Sequence, residues 1–292
     1  MAYNKKRLEE LLGNTADLSL KRKARRIIEE VNPKPSDKIL EVGSGDAYYP
    51  ALFARLGKFY VVGLELDTRV INTAERNFKK LSLPYKRLKK WRSQKLKQTY
   101  IVEGDVMKLP FPDSFFNKII MSEVAEHLPD DLGGLKEVHR VLKPDGLLIL
   151  TVPNWHFPFL WDPLNWILQR LGTHVKSGFF AGIWNQHLRL YKPDEIRKVL
   201  KSAGFKIKSG EVQTQWCLPF NHYLINFGAR MIAAGSLPKE IHSQVNKFEE
   251  GHKNRHFLIN TYNHLAEFMD SFNKKRYKKV GTTIFVKARK DS

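Results

Sequence analysis

The stretch Ile39-Leu-Glu-Val-Gly-Ser-Gly-Asp46 decides the fold of this chain. Residues 38–42 predict a buried parallel strand, and residues 47–56 repeat apolar side chains at helical spacing. The two glycines lie at the bend between them. Because such a turn lets ligand atoms approach bare backbone, it predicts a binding site, although dinucleotide-binding and other nucleotide-binding α/β folds share it.

Two residues argue against a dinucleotide. Tyr48 stands where the dinucleotide fingerprint needs a third glycine, and Glu41 would repel a pyrophosphate. Glu41 suits instead a ligand that carries an ammonium and a sulfonium, such as S-adenosylmethionine. Residues 59–65 predict a second strand that ends in Glu65, about 20 residues past the glycines, where an acid is expected to bind a ribose diol.

Further motifs follow at the spacing of one known family. They are Gly63-Leu-Glu65, Gly104-Asp-Val106 with Leu109-Pro-Phe111, Met121-Ser-Glu-Val-Ala-Glu-His127, and Glu137-Val-His-Arg-Val-Leu-Lys-Pro-Asp-Gly146. Together with the glycine turn, they make the chain resemble the class I S-adenosylmethionine-dependent methyltransferases of the small-molecule type (methyltransferase type 11-like). Asp46-Ala47 departs from the small residues that are usual in the family's first motif.

The resemblance implies S-adenosyl-L-methionine as the cofactor and assigns its contacts. Asp105 would accept a hydrogen bond from the adenine amino group, Glu65 would bind the ribose, and residues 121–127 would lie at the reactive end of the cofactor. The full set of expected cofactor-binding residues is Glu41, Gly43, Ser44, Gly45, Asp46, Glu65, Leu66, Asp105, Val106 and Ser122.

The composition is strongly basic. Lys and Arg number 50 against 30 Asp and Glu, a formal charge of +20 that favours anionic surfaces or polymers. A single cysteine, Cys217, fits a reducing compartment, and we expect it to serve packing. Neither a signal peptide nor an apolar run long enough to span a membrane is evident, so we expect a cytoplasmic protein.

Strands and helices alternate along the chain. Residues 18–31 predict a basic amphipathic helix, and a helix at 193–203 precedes a strand at 205–212 whose antiparallel partner is predicted at 282–288. Further strands are predicted at 38–42, 59–65, 100–102, 117–122 and 147–152, with helices near Ala47, Val70 and Leu132. This order predicts an α/β fold with a Rossmann-like, seven-stranded, mostly parallel sheet and helices on both faces.

We divide the chain into six segments. They are a basic helical N-terminal segment (1–36), an S-adenosylmethionine-binding core (37–153), an aromatic insertion (154–186), a core continuation (187–212), a helical cap insertion (213–281), and the last core strand with a basic tail (282–292). We expect the cap insertion to cover the active site, with a peripheral helical decoration as the alternative. For the aromatic insertion, packing against the cap, contact with lipid and a substrate wall stay open.

Two basic clusters stand out from the rest of the sequence. Residues 85–97 carry seven basic side chains around Trp91 and no acid, and residues 274–279 form the second cluster. We expect both to be exposed, as a solvated face or as contacts to lipid headgroups or nucleic-acid phosphates. Of these partners we favour an anionic membrane surface over nucleic acid. The sequence leaves the oligomeric state open.

The candidate catalytic residues are Glu123, Glu126, His127 and His187. A base is needed only if the acceptor must lose a proton, as an alcohol or phenol does. On a helical turn Glu123, Glu126 and His127 would face one direction, and two carboxylates with an imidazole can hold a divalent metal ion. The E-x-x-E-H pattern resembles metal-assisted O-methyltransferases of ubiquinone biosynthesis and small-RNA 2′-O-methyltransferases; His187 would be a further ligand in the latter. The alternative is a metal-free loop.

The sequence therefore predicts an S-adenosylmethionine-dependent methyltransferase that acts on a bulky, partly apolar acceptor. We expect a hydroxyl of a lipid, quinone or glycolipid-like molecule near a membrane surface. The alternatives are an RNA 2′-O-methyltransferase with a metal-assisted site and a non-catalytic membrane- or complex-bound scaffold. Amino-group methylation of bases is disfavoured because Ser122-Glu-Val124 stands where an Asn/Asp-Pro-Pro-aromatic turn would follow the fourth strand.

Overall fold

An eight-stranded sheet forms the centre of the structure, a computed structural model that describes residues 3–91, 98–234, 236, 238, 241, 244–250, 256–274 and 279–291. The strands lie in the order β3-β4-β2-β1-β5-β6-β8-β7. Pairings are parallel except those of β8, which runs antiparallel to β6 and β7. In chain order the strands are β1 (Lys38–Val42), β2 (Tyr60–Glu65), β3 (Tyr85–Leu88), β4 (Thr99–Glu103), β5 (Phe116–Ser122), β6 (Leu142–Pro153), β7 (Phe205–Gln213) and β8 (Thr283–Lys290).

Helices cover both faces of this sheet. Neighbouring strand residues point to opposite faces, so Ile39 packs in one hydrophobic cluster with α2, α3 and α4, while Leu40 packs in the other with α5 and α7. The described α-helices are α1 (Lys5–Leu12), α2 (Leu18–Val31), α3 (Tyr48–Leu56), α4 (Thr68–Lys80), α5 (Asp131–Val141), α6 (Pro163–Arg170), α7 (Pro193–Ser202), α8 (Asn221–Ala233) and α9 (Phe257–Ser271).

The predicted fold class is confirmed, but the sheet has one strand more than expected. Residues 85–88, predicted as part of an exposed basic linker, form the edge strand β3. Arg87 is accommodated there because Glu75 and Glu103 lie 3.1 and 3.3 Å from its guanidinium nitrogens. Trp91 is half-buried, with its ring edge-on to Phe111. The prediction of a fully exposed cluster was therefore wrong for these residues.

The remainder of the two basic clusters is only partly described. Lys86, Lys89 and Lys90 are exposed, as expected. Residues 92–97 and 275–278 lie outside the described residues.

The carboxyl ends of the parallel strands meet along one edge of the sheet, which we call the carboxyl edge. The chain runs from β1 to β2, then out to the edge strand β3 and back to β4, before it crosses to β5 on the other side of β1. Ligands of open α/β sheets bind at such a reversal, outside the strand ends. Both insertions also leave the sheet at the carboxyl edge. Pro153, at the end of β6, and Gln213, at the end of β7, both pair with Thr283, so the two strands end at the same level of the sheet.

The aromatic insertion and the cap insertion share a small hydrophobic core. Phe157, Trp161, Trp184 and Cys217 are buried in it. The Asp162 carboxylate lies beside this core, accepting hydrogen bonds from the Ile183 amide and the Tyr223 hydroxyl. Much of the aromatic insertion is therefore packed against the cap. Burial raises the pKa of the Cys217 thiol to about 12, which leaves it an inert packing residue, as expected.

The cap insertion is also tied to the N-terminal helix α2. Arg22 forms a 2.6 Å ion pair with Asp270 of α9. Within the cap insertion, the Asn273 side-chain oxygen accepts hydrogen bonds from the amides of Gln215 and Trp216, both at 2.8 Å.

Among the described residues, none of the helices combines the length and apolarity that a membrane crossing would require.

Candidate active site

The glycine turn after β1 forms one half of the candidate site. Gly43 and Gly45 have φ angles of +66° and +53°, a left-handed backbone that side chains other than glycine rarely adopt. The Ser44 amide donates to the Leu64 carbonyl at 2.8 Å, which holds the turn against the end of β2. A Cβ built on Gly45 would meet no described atom within 4 Å. The turn therefore presents open backbone to a ligand.

Glu65, at the carboxyl end of β2, is oriented towards this turn. Its carboxylate accepts hydrogen bonds from the Gly45 amide at 2.9 Å and from the Leu66 amide at 2.8 Å. The predicted neighbours of Glu65 lie along the same edge. Asp105 follows β4 and is exposed, Val106 is buried, and Leu66 is 63% exposed.

Glu41 lies beneath the turn with its carboxyl group buried. One carboxyl oxygen, Oε2, is shielded from solvent and finds no hydrogen-bond partner among the described residues, and the same holds for Ser44 Oγ. Burial, reinforced by the negative charge of Asp46, raises the pKa of Glu41 well above its usual range. A buried polar atom without a partner is costly, so a cationic ligand group would satisfy a need that the protein leaves open.

The second half of the site follows β5, next to β1. Ser122, predicted to contact the cofactor, lies at the end of β5 with its hydroxyl 2.9 Å from that of Thr151. The two loops touch, since a Cβ on Gly43 would approach the Val124 side chain to 2.5 Å. Residues Ala125–His127 form a short 3₁₀-helix.

Three of the four predicted catalytic residues come together in this loop. Glu126 Oε1 lies 3.8 Å from His127 Nε2 and 3.9 Å from His187 Nε2. His127 Nδ1 lies 2.9 Å from the Gln186 carbonyl, which can only accept. The Nδ1 atom therefore donates this hydrogen bond, and Nε2 is the ring nitrogen that lies towards Glu126.

Glu123 does not join this group. We expected a helical turn that would bring Glu123, Glu126 and His127 to one side, but Glu123 has a left-handed φ of +57°. Its carboxylate accepts a hydrogen bond from the Thr151 hydroxyl at 2.9 Å and pairs with Lys23 of α2 at 3.3 Å. The helical-turn prediction was wrong, and no pattern in the sequence indicated that Lys23 lies in this place.

Burial controls the protonation of this group. It raises the pKa of Glu126, which is 0% exposed, well above its usual range, and the negative charge of Glu123 adds to the rise. Burial also lowers the pKa of His187 to about 4, so this imidazole is neutral at physiological pH. Both Glu126 carboxyl oxygens and His187 Nδ1 are buried without a described hydrogen-bond partner. The cluster is thus ready to bind a polar group or an ion.

Asp46 of the glycine turn has a partner that the sequence did not predict. Lys247, from the cap insertion, lies 2.7 Å from the Asp46 carboxylate. Because 201 residues separate the two along the chain, no spacing rule links them. The cap insertion therefore reaches the glycine turn at Asp46.

Comparison with known proteins identifies the core. Residues 40–150 match the family described as methyltransferase domain. Sterol 24-C-methyltransferase ERG6B of Gibberella zeae is 28% identical over 195 residues, covering 67% of this chain and 46% of that protein. Demethylmenaquinone methyltransferase of Geobacillus stearothermophilus is 24% identical, covering 61% of this chain and 75% of that protein. The chain spans about half the length of the sterol methyltransferases that it matches.

A solved structure extends the likeness to nearly the whole chain. The S-adenosylmethionine-dependent methyltransferase of Mesorhizobium loti superposes with a TM-score of 0.53 at 16% identity, covering 96% of this chain and 100% of that one. At this identity the likeness concerns the fold alone. It shows that the fold is a known architecture.

Proposed function

Residues 40–150 of this chain form a class I S-adenosylmethionine-dependent methyltransferase domain, and on that premise we propose that the protein methylates a lipid-like acceptor. The acceptor group that we propose is a hydroxyl of a lipid, quinone or glycolipid-like molecule. Relatives named for sterol and demethylmenaquinone methylation support a bulky apolar acceptor. We place the reaction in the cytoplasm, at a membrane surface.

The observation that carries the proposal is the unsatisfied polar lining of the carboxyl edge. After β1, Glu41 Oε2 and Ser44 Oγ are buried without a described hydrogen-bond partner. After the neighbouring strand β5, both carboxyl oxygens of Glu126 are also buried without one. Native proteins seldom leave several such atoms together unless a ligand completes them. Glu41 suits the ammonium group of S-adenosylmethionine, and Glu65 suits its ribose. The open space at Gly45 would let the cofactor approach the backbone of the turn.

The residues after β5 would act on the acceptor. When bound, S-adenosylmethionine supplies an electrophilic methyl group on a positively charged sulfur. A raised pKa makes the carboxylate of Glu126 a stronger base than an exposed one, so it suits removal of a hydroxyl proton. The neutral imidazole of His187 carries one N–H, which can donate a hydrogen bond to the oxygen of the same hydroxyl. Lys23 holds the Glu123 carboxylate aside through its ion pair.

A divalent metal ion at this group is part of the proposal only for Glu126, His127 and His187. Their candidate ligand atoms lie within 4.8 Å of one another, whereas Glu123 is committed to Lys23 and Thr151. Ligand atoms at bonds of about 2.0–2.2 Å lie roughly 3.0–3.5 Å apart around an ion, so small side-chain rotations would suffice. A bound ion would acidify an acceptor hydroxyl.

Exposed apolar side chains on the insertions support a lipid surface as the partner. Most of the large exposed hydrophobic residues belong to the two insertions: Phe159, Leu164, Ile167, Leu171, Phe180, Trp216, Phe220, Leu224, Phe227, Phe257, Leu265, Phe268, Phe272 and Val280. Lys89 and Lys90 follow β3 at the same carboxyl edge, where their positive charge would complement anionic headgroups. An interfacial surface combines apolar insertion with such basic residues.

Transfer of a labelled methyl group tests the proposed function. The protein is incubated with S-[methyl-³H]adenosylmethionine and either anionic vesicles carrying quinols and sterols or structured RNA. We expect label in the organic extract, a loss of turnover of about 10²-fold or more in Glu126→Gln, and no loss in the control Glu267→Gln, which changes an exposed residue of α9. Label in RNA would contradict the lipid acceptor, and label in neither fraction would contradict both acceptor classes.

A further inference from the structure

A segment of the cap insertion lies against the core beside the glycine turn. It comprises residues 246–250, and we call it the latch segment. Phe248 is buried there, with its ring edge-on to Tyr48 at a centroid distance of 5.7 Å. The Arg55 guanidinium donates a 2.7 Å hydrogen bond to the Phe248 carbonyl. The latch segment is thus fixed to α3, the helix that follows the glycine turn.

Ion pairs hold the rest of the latch segment. Glu250 lies 2.6 Å from Arg7 and 3.0 Å from Arg55, and Glu249 lies 2.8 Å from Lys80. Each such surface pair contributes little on its own. Together with the burial of Phe248, these ion pairs orient the segment so that its one basic side chain points to the turn.

That side chain is Lys247. Its ammonium lies 2.7 Å from Asp46 and 5.0 Å from the centre of the Tyr48 ring. Apart from Lys247, the charged side chains that act on Glu41 at this turn are acidic. Asp46 and Glu65 raise the pKa of Glu41, and Lys247 lowers it. A ligand carboxylate brought to this turn would be repelled by Asp46 and Glu65 unless a cation accompanied it.

We propose that Lys247 binds the carboxylate of the cofactor's amino-acid moiety, while Glu41 beneath the turn binds its ammonium. The assignment rests on the proposed cofactor, S-adenosylmethionine. The lysine ammonium has three donors, and Asp46 occupies one of them. The orphaned Oε2 of Glu41 provides the matching acceptor. The cap insertion thereby contributes a cofactor-positioning residue to the core, and the latch segment sets its place.

Binding calorimetry with two ligands tests the assignment. The ligands are S-adenosylhomocysteine and its decarboxylated analogue, which keeps the ammonium and the adenosine. In Lys247→Ala we expect the Kd of S-adenosylhomocysteine to rise roughly 10- to 100-fold, as for a lost charge-assisted hydrogen bond. The Kd of the decarboxylated analogue should stay constant or fall, because the acidic turn then attracts its ammonium without a competing cation.

Two further variants guard the interpretation. Lys79→Ala removes an exposed lysine of α4 that is not among the residues holding the latch segment, and it should leave both Kd values unchanged. Lys247→Arg retains the charge and should recover most of the affinity, which a mere loss of folding would not allow. Equal weakening of both ligands, or unchanged S-adenosylhomocysteine binding in Lys247→Ala, overturns the role of Lys247. No binding to the wild-type protein would instead overturn the proposed cofactor and, with it, this assignment.

Discussion

The core (37–153) and the two insertions bury their apolar side chains to different degrees. Among the described residues of the core, Leu66 alone appears with the large exposed hydrophobic side chains, and it flanks the predicted cofactor site. The insertions expose many such side chains, although they also bury Phe157, Trp161 and Trp184. The core therefore presents little apolar surface, whereas the insertions present exposed apolar side chains that suit an apolar partner.

The core and the insertions also differ in the kind of side chain that they offer to a ligand. On the core side, the unsatisfied atoms are polar and fixed by strand ends, as Glu41 and Ser44 show. On the insertion side, the exposed groups are aromatic and aliphatic. Under the proposed function, the polar cofactor would bind to the core and the lipid-like acceptor would contact the insertions.

The largest expected effect comes from filling the open space at Gly45. Gly45→Val should abolish S-adenosylmethionine binding in calorimetry, because its side chain would occupy the space next to the turn. The matched control is Gly172→Val, since Gly172 also has a positive φ, +80°, and open surroundings. Both variants should lose roughly 1–2 kcal/mol of stability from backbone strain. Retained binding in Gly45→Val would place the cofactor elsewhere.

The second largest effect should come from removing exposed apolar side chains of the cap insertion, which should weaken binding to vesicles. The double variant Phe227→Ser with Phe268→Ser removes two side chains that are 57% and 62% exposed. We expect its affinity for anionic vesicles in a sedimentation assay to fall roughly tenfold, since apolar area no longer enters the interface. The control, Lys206→Ser with Lys208→Ser, changes exposed residues of β7 and should bind as the wild type does. Equal vesicle binding by all three proteins would argue against a lipid-facing insertion surface.

Glu41 should couple cofactor binding to pH. Its pKa is raised in the free protein by burial and by Asp46 and Glu65, with Lys247 opposing them, and a bound ammonium would lower it. Binding then releases a proton, so affinity rises with pH, by up to about tenfold per unit, until the free carboxyl is ionised. Glu41→Gln should bind more weakly and lose this slope, while Glu267→Gln keeps it. A pH-independent Kd in the wild type would contradict ionisation of Glu41 on binding.

The smallest effect concerns stability in acid. Burial lowers the pKa of His187 from 6.5 to about 4, so below about pH 6.5 the unfolded chain takes up a proton that the native site refuses. Acidification from neutral pH to about pH 5 should therefore cost about 1–2 kcal/mol through this residue. The stability difference between wild type and His187→Gln, from urea denaturation, should shift by that amount; a shift no larger than that of the exposed His264→Gln control would refute it.

The parts of the molecule governed by local pattern could be predicted. The bounds of β1 and α2 coincide with the predicted ranges, and β8 lies where its strand pattern placed it. The fold of the core and the nearness of Glu126, His127 and His187 also followed from the motifs.

The remaining features depend on contacts between distant residues. The strand β3 was missed because its basic sequence gives no sign of Glu75 and Glu103, which neutralise Arg87 only in the folded chain. Glu123 was misplaced because helical spacing was assumed where the backbone turns left-handed. Lys247 reaches Asp46 through packing of the latch segment, for which the sequence offers no periodic signal.

The most direct test of the central claim follows the methyl carbon itself. The protein is incubated with S-[methyl-¹³C]adenosylmethionine and vesicles carrying quinols and sterols, and ¹³C NMR records where the label resides. The account predicts that the sulfonium methyl signal decays and that an oxygen-bound methyl signal grows in the lipid extract, with no such growth in Gly45→Val. A label transferred to carbon would contradict the hydroxyl acceptor, and a sulfonium signal that persists with every lipid acceptor would contradict the claim itself.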